Sequence, residues 1–265
     1  MTHEQIRAIY LANLPTTASA SGGEFPQAPS RPLPPGEFVN ELIRRAAECD
    51  VRAAHPFLKN VVSGRYSKLQ LREWVRQDYQ HVLGSIRRHA LAAAAATDCD
   101  LLRALLAYVG VEADADPVGG TYFALPQLWV KLGITLGLTR DELVHAEPAA
   151  ALAEWEDRAT EAARRQQGVP VGLFVNAMLD PALASCIGPR LHAQLGFSRD
   201  CFDYFWAVAG NRWGEDAGRL MLESWCATAA DQRNIWSRYA AERAVQRESE
   251  RLTLLQQAVE TIANP

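Results

Sequence analysis

From Gly36 onward, apolar residues recur at three- and four-residue intervals, and no alternating β-branched runs bounded by hairpin turns interrupt them. That pattern predicts helices near residues 37–49, 67–95, 99–109, 122–136, 147–166, 170–194, 199–227 and 229–261. The breaks carry their own chemistry. His55-Pro56 and Ser63-Gly64 bracket a stretch that reads as a short turn, and residues 114–120 read as a loop. Gly137 ends one helix, and Thr139 with Glu142 three residues on fits a capping box that starts the next. Residues 14–36 hold six prolines and three glycines, which deny the chain helical hydrogen bonds. Residues 1–36 are therefore expected to be a short helix (2–13) and an irregular arm outside the packed core. Residues 37–265 are expected to form one all-α domain of seven or eight helices.

The composition suits such a body. The chain has 265 residues, 48% of them hydrophobic and 22% charged, with a net charge of −4. That balance argues against a nucleic-acid module, and no apolar run reaches the roughly 20 residues of a membrane span. The polar N-terminus does not read as a secretory signal, so a cytoplasmic location is expected. Five scattered cysteines form no CxxC pair and read as reduced core thiols. Phosphate-binding glycine motifs, HExxH and GxSxG are absent.

Two helices carry polar residues on faces that should be apolar. In residues 71–95, Leu71, Trp74, Val75, Val82 and Ile86 form the inward face, and Asp78, His81 and Ser85 fall in line with it, with Arg88 at its edge. A buried carboxylate and imidazole must be paired or must face a polar cavity. A closed Asp78–His81 or Asp78–Arg88 bond and a ligand-facing site are both compatible with the spacing. The 201–227 segment is apolar on two sides, which suits a central or dimer-forming helix. Its charges either form a solvated ladder, as in Arg212–Asp216 and Arg219–Glu223, or place Asn211 and Glu215 in a pocket. Asp180 before Pro181 reads either as a helix N-cap or as a site carboxylate.

The run His55-Pro-Phe-Leu, followed by Gly64-Arg-Tyr-Ser-Lys-Leu-Gln-Leu-Arg-Glu-Trp-Val-Arg-Gln-Asp-Tyr79, resembles proteins related to pyrroloquinoline-quinone synthase and thiaminase II. Gly119-Gly120, Leu136 to Leu143, Leu195 to Asp200 and Tyr204-Phe205 extend the likeness over roughly residues 40–227. The resemblance implies a haem-oxygenase-like helical fold. It also implies that Asp78 matches the aspartate that holds the pyrimidine in thiaminase-II relatives. Their next-turn tyrosine is His81 here, and their nucleophilic cysteine falls at Asp180, so thiaminase chemistry is not expected. Against the di-iron oxidases of the fold, Asn211, Glu215 and Gly218 replace the last helix's histidine, aspartate and histidine. An apolar residue near Leu125 replaces another histidine, while Asp180 matches a glutamate. No conventional di-iron centre is expected, and iron at an unusual site stays open. Against the quinone synthases, Asp78, His81 and Val82 replace the characteristic arginine, tyrosine and glutamine, so the substrate must differ.

The expected protein is a biosynthetic enzyme, an oxygen-dependent oxidase or oxygenase acting on an amino-acid-like or heterocyclic metabolite with no cofactor. The alternatives are a non-catalytic binding relative and a metal-free hydrolase. His81 is the expected general base, with Asp78 orienting it or holding an amine, and Asp180 and Glu215 as further acid–base or cation-holding groups. Tyr79, Ser85, Arg88, Tyr204, Asn211 and Arg219 complete the expected substrate-binding set. The expected partners are the substrate and dioxygen, with no nucleic acid or membrane, and the chain is expected to be a homodimer.

Overall fold

The computed structural model describes residues 33–96, 99–113, 124–165, 169–210 and 230–262, together with Arg219. Ten α-helices and no strand lie among the described residues. They are α1 (Pro35–Cys49), α2 (Pro56–Val62), α3 (Lys68–Ala94), α4 (Cys99–Ala113), α5 (Leu125–Thr135), α6 (Arg140–Val144), α7 (Ala150–Arg165), α8 (Val169–Leu195), α9 (Asp203–Gly210) and α10 (Ala230–Glu260). Single 3₁₀ turns precede α2 (Val51–Ala54) and α9 (Arg199–Phe202). Nearly all of the proposed N-terminal arm, and the segment holding Asn211 and Glu215, lie outside the described residues.

Helix α3 is central, packing against α4, α5, α7 and α10. A capping box starts it: Ser67 Oγ accepts the Gln70 amide at 3.3 Å, and Gln70 Oε1 accepts the Ser67 amide at 3.0 Å. The box read from Thr139 and Glu142 is also present, at the start of α6. Trp74 anchors the middle of the bundle. Its ring meets Phe57 edge-on at 5.7 Å and Trp129 at 5.6 Å. Trp129 in turn donates its indole N–H to the Val75 carbonyl at 2.9 Å, fixing α5 on α3.

Two sequence expectations are corrected here. The stretch after His55 is the helix α2 rather than a turn, because Pro56 at its first position has no N–H to lose there. Asp180 does not cap a helix. It sits inside the 27-residue α8, which carries Pro181 and Pro189 in its interior. Burial of α8 against α9 and α10 outweighs the hydrogen bonds those prolines omit.

His55 ties α2 to α10. Its Nδ1 accepts the Phe57 amide at 3.2 Å, so the ring proton sits on Nε2, facing Thr253 Oγ1 at 3.1 Å. Burial, with the Arg251 charge adding to it, lowers its pKa to about 4. The neutral ring is therefore the one the fold selects. Its contribution is present above pH 6.5 and is lost as pH falls toward 4. Between those limits the wild-type protein should lose roughly 2 kcal/mol more stability than His55→Asn, which keeps a cap without titrating. Denaturant unfolding of both proteins at the two pH values measures this, and parallel losses would refute it.

Candidate functional site

A cavity of about 1130 Å³ opens between α3, α4, α7, α8, α9 and α10. Asp78, His81, Ser85, Arg88, Asp180 and Tyr204 all line it. Tyr79 does not. One residue on from Asp78, it turns about 100° round α3 and is buried in the hydrophobic core, 7% exposed. Arg219 also departs from the expected set. Its guanidinium reaches Asn40 Oδ1 on α1 at 2.8 Å, and it is not part of the cavity wall.

The pairings differ from both bonds the sequence suggested. Asp78 bonds neither His81 nor Arg88. Its Oδ2 accepts the Trp74 indole N–H at 3.3 Å, and its Oδ1 is taken by Arg251 of α10. Arg251 also donates Nε–H to Glu248 at 2.9 Å, one turn earlier. The three side chains form a buried triad. Desolvation works against the charged Glu248, yet the Arg251 and Arg52 guanidiniums outweigh it and hold its pKa at about 2. Desolvation likewise opposes the Arg251 charge, and Asp78 and Glu248 overcome it, so the guanidinium stays protonated.

His81 is held instead by Glu156 of α7. Its Nδ1 lies 2.7 Å from Glu156 Oε1, with Arg88 Nη2 further away at 3.3 Å. A deprotonated Nδ1 would repel the carboxylate, so the shorter contact places the proton on Nδ1 and leaves Nε2 of the neutral ring with its lone pair. The other oxygen of Glu156 binds Arg88. Burial raises the Glu156 pKa, but the hydrogen bond from His81 and the charges of Arg88 and Arg251 more than offset this, and the carboxylate stays ionised. Gly84 leaves the space this pair occupies. A Cβ there would stand 2.8 Å from Glu156 Oε2 and 2.9 Å from Arg88 Nη1. Trp155 closes the site, edge-on to the His81 ring at 5.5 Å.

Asp180 enters the cavity from α8. Arg52, locked by Asp50 through Nε contacts of 3.0 and 2.8 Å, donates Nη1–H to Asp180 Oδ1 at 2.6 Å. Asp180's side chain is 45% exposed, yet the protein surrounds it, so that exposure is to the cavity. Desolvation dominates and raises its pKa, with Arg52 opposing. Burial, with Asp78 and Asp180 nearby, pushes the Tyr204 phenol far above its usual range, so it remains a hydrogen-bond donor. Six carboxylates and six guanidiniums line the cavity among the described residues, so its charges are balanced.

The sequence reading missed Arg52, Glu156, Glu248 and Arg251. Glu248 left a visible signal. Among the α10 residues whose burial is described, the buried positions are 241, 244, 245, 248, 252, 255 and 259, and a glutamate occupies one place on that otherwise apolar stripe.

The TENA/THI-4/PQQC family matches residues 44–164. No curated protein matches the chain. Solved structures share its fold. A CADD-like protein of unknown function from Nostoc punctiforme superimposes with a TM-score of 0.65 at 16% identity, over 86% of this chain and 99% of that one. A TenA homologue from Pseudomonas syringae gives 0.63 at 12% identity, over 89% and 97%. A domain from Shewanella denitrificans, described as having a heme oxygenase-like fold, gives 0.60 at 13% identity, over 83% and 91%.

The described residues do not fit a dinuclear iron site. Asp78 and Asp180 each face a guanidinium, and among the described residues no group of three or more His, Cys, Asp and Glu side chains is placed to hold a metal. Of the positions compared with the di-iron oxidases, Asp180 and the apolar Leu125 are described, and Asn211, Glu215 and Gly218 lie outside the described residues.

Proposed function

We propose that this chain, which has the haem-oxygenase-like fold and matches the TENA/THI-4/PQQC family over residues 44–164, is an enzyme. Its substrate is a small nitrogen-bearing metabolite, which it oxidises with dioxygen. The observation that carries this reading is the His81–Glu156 dyad. A carboxylate fixes the imidazole tautomer and leaves Nε2 as a base at the wall of a cavity large enough for a small molecule.

In this reading His81 takes a proton from a C–H or N–H of the bound substrate, and Glu156 stabilises the imidazolium that results. The substrate, now electron-rich, gives two electrons to dioxygen. With loss of a second proton it leaves two hydrogens poorer, and dioxygen becomes hydrogen peroxide. The Asp180 carboxylate, part-exposed at the cavity wall, suits a cationic or N–H-bearing substrate. Asp180 offers its second oxygen to such a group, and Tyr204 offers a donor. Thiol displacement of the thiaminase-II kind lacks support. The matching position is Asp180, bonded to Arg52, and Cys186 is packed in the core.

Oxygen consumption settles the reaction class. Heterocyclic amines and amino-acid-like compounds, offered to the purified protein in an oxygen electrode, should include one that is turned over with one peroxide formed per oxygen consumed. Equal turnover in anoxic buffer would instead make His81 the activator of a hydrolytic water. Tight binding across the panel without any turnover would make the chain a binding relative.

A further inference from the structure

Eight residues beyond His81, about 12 Å further along the axis of α3, a second histidine enters the same cavity. His89 Nδ1 lies 2.6 Å from Glu112 Oε2 on α4. By the argument used for His81, Nδ1 carries the proton and Nε2 of the neutral ring keeps its lone pair. The other Glu112 oxygen accepts the Ser85 hydroxyl at 3.4 Å. Tyr108, one turn before Glu112, sets its ring edge-on to the imidazole at 4.7 Å. Ser85, His89, Tyr108 and Glu112 all line the cavity. Among the described residues, no protein group bonds His89 Nε2.

Packing does not call for this arrangement. His89 and Glu112 are each 5% exposed, and an apolar pair would fill the same space without two desolvated polar groups. Glu112 also lies in the last turn of α4, where the helix dipole disfavours a carboxylate. The pair repeats the design of His81 with Glu156: an imidazole of α3 oriented by a carboxylate from a neighbouring helix, with one nitrogen left for something in the cavity.

We propose that His89, held by Glu112, is a second binding station in the cavity and that the substrate is bifunctional, presenting one N–H or O–H donor to His81 and another to His89. This rests on the reading that the cavity binds a small molecule at His81. The probes are 1,8-diaminooctane, 8-amino-1-octanol and octylamine, followed by calorimetry and by the imidazole resonances of the full-length protein labelled with ¹⁵N-histidine. The two bifunctional probes should shift both the His81 and the His89 signals and bind about tenfold more tightly than octylamine. His89→Phe should reduce them to the octylamine level. So should His89→Asn, which keeps a donor to Glu112 and guards against a folding defect. An unmoved His89 resonance with every probe, or a tenfold preference that survives both substitutions, overturns the proposal. Probes that shift His89 but not His81 support the second station and count against the catalytic reading of the first.

Discussion

Replacing Arg251 by methionine lowers the thermal midpoint by about 10 °C. The side chain is 11% exposed and connects Asp78 of α3 to Glu248 of its own helix. Methionine keeps much of its volume and removes its charge. Two buried carboxylates, Asp78 and Glu248, are then left without the cation they share. Removing one partner from a buried ion pair costs about 3–5 kcal/mol, and in a protein of this size each kcal/mol moves the midpoint by roughly 2–4 °C. The deficit should depend on pH in a definite direction. Glu248, with a folded pKa of about 2 against an ordinary 4.5, stabilises the wild type above pH 4.5, and that contribution is lost as pH falls toward 2. In the variant the unpaired charge is removed by protonation, so the gap between the two proteins narrows over the same range. Adding Glu248→Leu to the variant should restore part of the midpoint, because the second orphaned charge disappears. Calorimetry on the four proteins of the Arg251/Glu248 cycle, at pH 7 and pH 4, gives the coupling. A single variant within 2 °C of wild type would show that water or a bound ion replaces the guanidinium.

The same triad shows what a sequence can reveal here. Asp78, His81 and Ser85 were legible because their register is local: one helix, one stripe, and polar groups where Trp74 and Val82 demand apolar ones. Their partners were not legible. Arg251 is 173 residues from Asp78, and Glu156 is 75 from His81. Two carboxylates and two guanidiniums can be joined in several ways that a helical pattern weights equally, so the bonds fall differently from the two the spacing suggested. Arg52 was hidden for another reason. It sits in a four-residue 3₁₀ turn, too short for any periodicity, and its Asp50 clamp holds it where it reaches Asp180. Glu248 and Glu112 could have been found. Each stands on a buried stripe of an otherwise ordinary helix, the signal that singled out Asp78. The helical class was readable throughout, because heptad-like spacing survives even in the charged α10. The helix α2 was missed because a seven-residue element flanked by proline and glycine looks like a turn until its apolar face finds a core.

His81→Ala should lower turnover on the substrate found by oxygen uptake by 10²–10⁴-fold, the usual cost of losing a general base. Glu156→Gln should fall in the same direction but less far. The amide still reaches His81 and Arg88, yet it no longer forces the proton onto Nδ1 or offsets the imidazolium charge. His192→Ala should leave turnover within twofold. That histidine lies near the end of α8 with its ring 5.9 Å from Phe202, away from the cavity wall. The three variants separate a catalytic imidazole from a merely helical one. His81 is part-buried, so its loss also removes packing against Trp155, and a fall in rate alone would not distinguish base from buttress. Imidazole added to the solvent does distinguish them. The alanine variant leaves a ring-sized space beside Glu156, open to the cavity, where free imidazole can take the same proton. Partial recovery of turnover that saturates with imidazole, at an unchanged thermal midpoint, is the expected result. Recovery that tracks a rising midpoint instead would make His81 a packing residue, and equal rates in His81→Ala and His192→Ala, with both proteins folded, would remove it from the mechanism.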